Sequence, residues 1–225
     1  LPTTIDTSYG ICEVPFGVVR RKPYIQGYNK KGEWPVQRFA AIEDGKHGVA
    51  LVNTGVQGVE INGGTIWTTL LRAPKNECAG MVPDETSSQH GFHTFKFALV
   101  AYEGSWKESP LLTIAQEFNS PIQVLKGTEL KIAEGVPYIK IDRRNIVLSA
   151  VKLPEDGADG EIIIRIYESV GCACESSIYI KDASNVWMTN VDELKLEPVE
   201  LDGEKLKVCM QPFEIKTLRV RKNGY

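Results

Sequence analysis

The feature that most constrains this chain is its rhythm. Short runs of β-branched and aromatic residues are broken roughly every 8 to 12 residues by Gly, Asn, Asp and Pro, which is the spacing of strands and turns. Residues 48–53 (GVALVN) and 56–61 (VQGVEI) flank Asn53-Thr54-Gly55, and Asn62-Gly63-Gly64 leads into residues 65–71 (TIWTTLL). Both breaks offer residues that accept positive φ, so the three runs predict a three-stranded meander. Residues 94–102 (TFKFALVAY) set Phe95, Phe97 and Leu99 on one side of a half-buried strand. Residues 146–152, 161–168, 177–180, 186–190, 206–210 and 215–221 continue the pattern. Residues 111–119 (LLTIAQEFN) alone read as a helix, entered after Pro110 and stopped before Pro121, because proline disfavours helix in the residue ahead of it.

Many strands and one short helix predict an all-β fold, an antiparallel β-sandwich, since a sheet with one apolar face must bury it against another sheet. Residues 1–130 are expected to form the main sandwich portion, with a long polar loop at 73–91 and the helix at 111–119. Residues 139–225 supply the remaining strands, either in the same sandwich or in a second, smaller one. Between them glycines and charges replace the apolar alternation, and Gly135-Val136-Pro137 breaks any strand.

Composition removes several function classes. With 26 Lys+Arg against 29 Asp+Glu and no basic block beyond pairs such as Arg20-Arg21, the chain lacks the phosphate-neutralising face that nucleic acid requires. No run approaches the roughly 20 apolar residues that span a bilayer, and no charged start precedes an apolar run, so no membrane role is expected. The 5 cysteines are odd in number and scattered, which reads as reduced thiols, and none of the asparagines lies in a glycosylation sequon. Both features point to the cytoplasm. The first methionine is Met81, so the chain is read as a piece of a longer polypeptide.

Candidate chemistry is sparse. His90 and His93, with Asp84 upstream, offer two imidazoles and a carboxylate. On a strand, however, i and i+3 point to opposite faces, so a pair that caps the loop by hydrogen bonds is the simpler reading. His47 sits in the turn signature Asp44-Gly45-Lys46-His47. Cys172-Ala173-Cys174 puts two sulfurs on one side of a strand, yet no second pair at zinc spacing exists. No Gly-x-Ser-x-Gly elbow or phosphate-cradling loop appears. The adjacent carboxylates Glu43-Asp44, Asp84-Glu85, Glu155-Asp156 and Asp192-Glu193 read as solvated turns. Trp34, Trp67, Trp106 and Trp187 read as sandwich packing before sugar-stacking faces.

The order of several segments nevertheless resembles a known family. VPFGVVRR at 14–21, PVQRFA at 35–40, GVALVNTG at 48–55, LLRAP at 70–74, and GFHTF at 91–95 with Phe97-Ala98-Leu99 occur in sequence. LSAVK at 148–152, Glu155-Asp156-Gly157, RIYE at 165–168, Thr189-Asn190 with Glu193, and PFEIKT at 212–217 follow. Together they resemble the carboxy-terminal β region of the α-mannosidases of glycoside hydrolase family 38. The resemblance implies a non-catalytic domain of a retaining, zinc-dependent enzyme of α-mannoside hydrolysis and mannose metabolism, giving structural support and a possible active-site wall. The nucleophile and the zinc are then expected in an upstream catalytic α/β domain, with a helical domain between, and no cofactor in this fragment. The family's zinc motif, a histidine with an aspartate two residues on, is absent from His47-Gly48-Val49, His90-Gly91-Phe92 and His93-Thr94-Phe95. In some eukaryotic relatives a loop at the equivalent of residues 73–91 reaches substrate through an Asp-x-Arg-Gly arginine, a sequence this chain lacks. Arg72, Asp84, His90 and His93 are therefore the candidate substrate-proximal residues. The rival readings are an independent carbohydrate-binding module, or an oligomerisation and interaction sandwich forming a homo-oligomer.

Overall fold

A computed structural model of the chain describes residues 1–7, 9–22, 33–71, 90–124, 126 and 137–223. These residues are antiparallel strands with one short helix, in two compact units, Leu1–Gln123 and Val124–Tyr225. No helix among them is long and apolar enough to cross a membrane.

The first unit contains β1 (Gly10–Val14), β2 (Gly17–Arg21), β3 (Trp34–Pro35), β4 (Phe39–Glu43), β5 (His47–Asn53), β6 (Gly58–Asn62), β7 (Thr65–Thr68), β8 (Phe97–Glu103) and α1 (Leu111–Asn119). The strands make a five-stranded sheet, β2-β1-β4-β5-β8, and a three-stranded sheet, β3-β6-β7. Alternation decides which side chains meet: Cys12, Ala40 and Ile42 from the large sheet pack with Val59, Ile61 and Ile66 from the small one. The out-of-phase residues Phe39, Ala41, Ala50 and Val52 are also fully buried, and α1 packs on β5 with Leu111, Leu112 and Ala115 buried.

Two sequence expectations fail here. The three-stranded meander is only a hairpin. Asn62-Gly63-Gly64-Thr65 turns β6 into β7 with Gly63 and Gly64 at φ 55° and 72°, but β5 pairs with β4 and β8 and never with β6. The cause is Asn53, whose carboxamide oxygen accepts the Val56 N–H at 2.8 Å while its own N–H donates to the Arg38 carbonyl at 2.8 Å. This side-chain turn, with Gly55 at φ 96°, carries the chain out of one sheet and into the other. The side of β8 expected to be buried is left uncovered, and the opposite side is covered instead. Tyr102 is buried, whereas Leu99 is 63% exposed, because the three-stranded sheet does not extend over β8. The Tyr102 ring lies against Gly48, where a Cβ would stand 2.2 Å from it.

The second unit contains β9 (Ile139–Ile141), β10 (Ile146–Lys152), β11 (Glu161–Glu168), β12 (Cys174–Ile180), β13 (Ala183–Thr189), β14 (Lys195–Val199), β15 (Lys205–Met210) and β16 (Ile215–Lys222). Sheets β10-β11-β16-β13-β14 and β15-β12-β9 enclose a core of Ile164, Ile166, Ile178, Ile180, Leu206, Val208, Met210, Leu218 and Val220. This unit is a β-sandwich in its own right.

Candidate functional site

Of the four candidate residues, Arg72 and Asp84 lie outside the described residues, as does most of the loop at 73–91. His90 and His93 are exposed in irregular chain ahead of β8, and the His93 ring stacks on Phe95 at 6.3 Å between centroids. The strand starts only at Phe97, so the pair is not fixed on opposite faces of a sheet. Among the described residues no three of His, Cys, Asp and Glu converge as a metal-ligand set. His47 opens β5, and the Asp44 carboxylate accepts the N–H groups of Lys46 and His47 at 2.8 Å each.

The chemistry that sequence reading missed is a set of buried carboxylates. Glu13, 1% exposed on β1, accepts hydrogen bonds from the Arg38 guanidinium and from the Arg38 backbone N–H at 3.1 Å. Glu161, 2% exposed, opens β11 against Lys195 at 2.8 Å, Arg221 at 3.0 Å and the Arg219 guanidinium. Asp156 takes the far side of Arg219 at 2.8 Å. Glu193 is buried at φ 67°, paired with Lys152 at 2.6 Å and accepting the Glu155 N–H at 2.8 Å. Glu43 is likewise covered, accepting the Trp106 N–H at 2.8 Å and the Tyr102 hydroxyl at 3.2 Å. The reading of Glu43 and Glu193 as solvated turn residues is therefore corrected: both sit at hairpin ends where neighbouring donors draw the carboxylate inward. A β-strand pattern reveals which faces are apolar but not which charge meets its partner tens of residues away, so the sequence carried no signal for these pairs.

The electrostatics of Glu161 and Glu193 run one way. Desolvation would raise the Glu161 and Glu193 carboxyls, but donors from Lys195 and Arg219, and from Lys152 and Glu155, outweigh it and hold both below the ordinary carboxylate value. Such groups are committed anions, suited to clamping loops and unsuited to giving up a proton.

Two clefts are formed by described residues. One of about 350 Å³ in the first unit is lined by Asp6, Tyr9, Arg20, Glu43 and Asp44. The other, about 360 Å³ in the second unit, opens between Val199, Leu201 and Leu206 with Lys205 and Lys207 beside it. Of the four tryptophans, Trp106 is core, Trp34 and Trp187 are half-buried under Arg21 and Lys195, and Trp67 on β7 is 61% exposed.

Cys12, Cys172, Cys174 and Cys209 are free thiols. Cys174 points towards the core of the second unit and Cys172 outward, so the two do not form one sulfur face. Burial pushes the Cys12 thiol up to about 12, against a small opposing pull from Arg21. At pH 8 iodoacetamide is expected to alkylate Cys172 and Cys209 promptly and Cys12 about a thousandfold more slowly, since the thiolate is the nucleophile. Mass spectrometry of peptides from native protein checks this, and equal labelling would contradict the burial.

Comparison with known proteins follows the same two-part layout. Residues 1–85 match the glycosyl hydrolases family 38 C-terminal domain, and residues 145–218 match the family's C-terminal beta sandwich domain. The human alpha-mannosidase 2C1 is 25% identical across 96% of this chain, and alpha-mannosidase G of Dictyostelium discoideum is 26% identical across 94%. The chain spans only 21% and 19% of those proteins. The crystal structure of an alpha-mannosidase from Enterococcus faecalis V583 superposes with a TM-score of 0.76 at 23% identity, over 97% of this chain and 25% of that one, and so shares the fold. Two carboxy-terminal models of one family, in order along a chain whose relatives align from end to end, establish that it belongs to glycosyl hydrolases family 38 as a carboxy-terminal β region.

Proposed function

We propose that this chain is a non-catalytic region of a retaining, zinc-dependent α-mannosidase, supporting the longer enzyme and walling one side of its active site through the segment at 73–91. The observation that carries the reading is coverage: the chain aligns over 96% of its length with an α-mannosidase yet spans a fifth of it. The buried carboxylates agree. A retaining glycosidase needs a nucleophile and an acid with a raised pKa about 5–5.5 Å apart, whereas the buried Glu161, Glu168 and Glu193 are all held low by their hydrogen bonds. Among the described residues no set of His, Cys, Asp and Glu side chains fits a zinc site. On the family resemblance, nucleophile and metal are assigned to a catalytic α/β domain, with a helical domain between, in the same polypeptide. Zinc there would grip sugar hydroxyls. The free thiols Cys12, Cys172, Cys174 and Cys209 favour a reducing compartment, and the cytoplasm is the one we propose for the longer enzyme.

Hydrolysis of an aryl α-mannoside with added zinc tests this. The longer enzyme is expected to be active and the 225-residue chain inert. Alanine at Arg72, Asp84, His90 or His93 in the longer enzyme is expected to change KM or kcat; wild-type kinetics from all four would remove the wall. Turnover by the 225-residue chain itself would overturn the accessory reading. The exposed indole of Trp67 favours one rival, a sugar-binding module, which predicts a saturable fluorescence change with mannoside that Trp67→Ala abolishes.

A further inference from the structure

The two sheets of the first unit are unequal. Among the described residues five strands face three, and the inner side of β8 is left open, with Leu99 63% and Leu70 49% exposed. Isolated exposed leucines are ordinary, but these two lie on the faces that elsewhere form the core. Leu99 pairs with Leu51, which packs into that core, and Leu70 is in phase with Ile66, which is fully buried.

The free edge of β7 shows how the gap closes. Its inner amides serve β6, ending with the Thr69 N–H on the Gly58 carbonyl at 3.0 Å. Its outer edge is partly used by residues 1–3. The Leu1 nitrogen donates to the Ile66 carbonyl at 2.8 Å, the Ile66 N–H donates to the Leu1 carbonyl at 2.9 Å, and the Thr3 N–H donates to the Gly64 carbonyl at 3.1 Å. This is an antiparallel ladder. Its direction carries the backbone ahead of Leu1 along Thr68 and Leu70, whose edge groups bond to no other described residue.

We propose that the segment preceding Leu1 in the longer polypeptide is a β-strand. It extends this ladder as the fourth strand of the small sheet and covers the open side of β8. The proposal rests on the reading that the chain is part of a longer polypeptide, four to five times its length in its relatives. β3 lies over β1 and β7 over β4, so the next strand out from β7 runs over β5 and β8. The side chain of Leu1 packs into the core, and residues two and four positions before it share its face. The occupant is therefore an extended segment with apolar residues at those alternate positions, held by main-chain bonds at Thr68 and Leu70.

Hydrogen exchange and melting of the 225-residue chain and of the longer polypeptide test this. The Thr68 and Leu70 amides are expected to exchange at least tenfold more slowly in the longer form. Leu99→Lys is expected to lower its melting transition by roughly 4–8 °C while leaving the shorter chain within about 1 °C. Equal exchange in both forms, or a neutral Leu99→Lys in both, would overturn the proposal. So would concentration-dependent protection in the shorter chain that Leu99→Lys removes, which would make a second copy the occupant. None of these readouts involves hydrolysis, so they fail independently of the assigned activity.

Discussion

Replacing Glu168 with alanine is expected to destabilise the second unit by about 3–5 kcal/mol, a large share of the roughly 5–15 kcal/mol that a domain has. The carboxylate ends β11 fully buried and accepts five hydrogen bonds: Asn145 Nδ2 at 3.0 Å and the N–H groups of Val170 at 2.9 Å, Gly171 at 2.7 Å, Cys172 at 3.1 Å and Phe213 at 3.0 Å. Gly171 at φ 76° and Phe213 at φ 59° turn successive amides inward, making an anion nest that the side chain of the same chain fills. Gly171 resists enlargement, because its φ of 76° disfavours a side chain and a Cβ there would stand 2.6 Å from the Phe213 ring, which would have to move. Alanine leaves five donors without their acceptor, one of them, the Val170 N–H, buried. Glutamine keeps the shape but turns an NH2 towards N–H groups, so about half the loss is expected from Glu168→Gln. Urea denaturation followed by tyrosine and tryptophan fluorescence measures both, and a loss below about 1 kcal/mol for alanine would contradict the nest.

The pH dependence has a definite sign. Desolvation pushes the Glu168 carboxyl up, but the donors from Phe213, Asn145, Val170 and Gly171 outweigh it and leave its pKa below the ordinary 4.5. A carboxyl whose folded pKa is depressed stabilises the fold above its unfolded pKa, and that stability is lost as pH falls through the folded value. Wild-type protein should thus lose stability below about pH 4.5, and Glu168→Gln should show a shallower acid limb.

The sequence made the strands legible and left the sheets ambiguous. β10 and β11 begin and end where their apolar, β-branched runs do, because turn residues bound each run. The helix at 111–119 was equally readable, since Pro110 and Pro121 bracket it. Sheet membership was not, because the Asn53 turn looks in sequence like the tip of a hairpin and acts in space as a crossover. Strands β1 and β4 escaped the periodicity reading, and the family resemblance touches them only at Val14 and at Phe39-Ala40. GICEV and FAAIE are buried on both faces and do not alternate. The candidate site was the least legible part: the family likeness marks a loop, whereas the well-formed polar structure lies in ion pairs such as Glu13 with Arg38, 25 residues apart.

The charged cluster on the second unit gives the other large effect. Glu161→Leu is expected to cost about 3–5 kcal/mol, because it leaves Lys195, Arg219 and Arg221 gathered around a vanished anion, with Arg219 itself buried. Arg219→Met should cost less, since Glu161 keeps Lys195 and Arg221 while Asp156 is free to face water. The double variant Glu161→Leu/Arg219→Met removes the main buried charge pair together. Replacing a buried pair by apolar side chains is often neutral, whereas breaking it is not. The double variant should therefore recover about 1–3 kcal/mol relative to the sum of the single losses. Strict additivity in denaturant midpoints would show that the two side chains act separately. The cluster also explains how Glu193 is held at φ 67°: Lys152 and the Glu155 N–H grip its carboxylate, and Arg219 reaches its carbonyl at 3.4 Å. The hairpin between β13 and β14 and the connection between β10 and β11 are thus pinned by the same charges. Loss of Glu161 should loosen both at once, seen as faster amide exchange at Glu155 and Leu194 before the core strands respond.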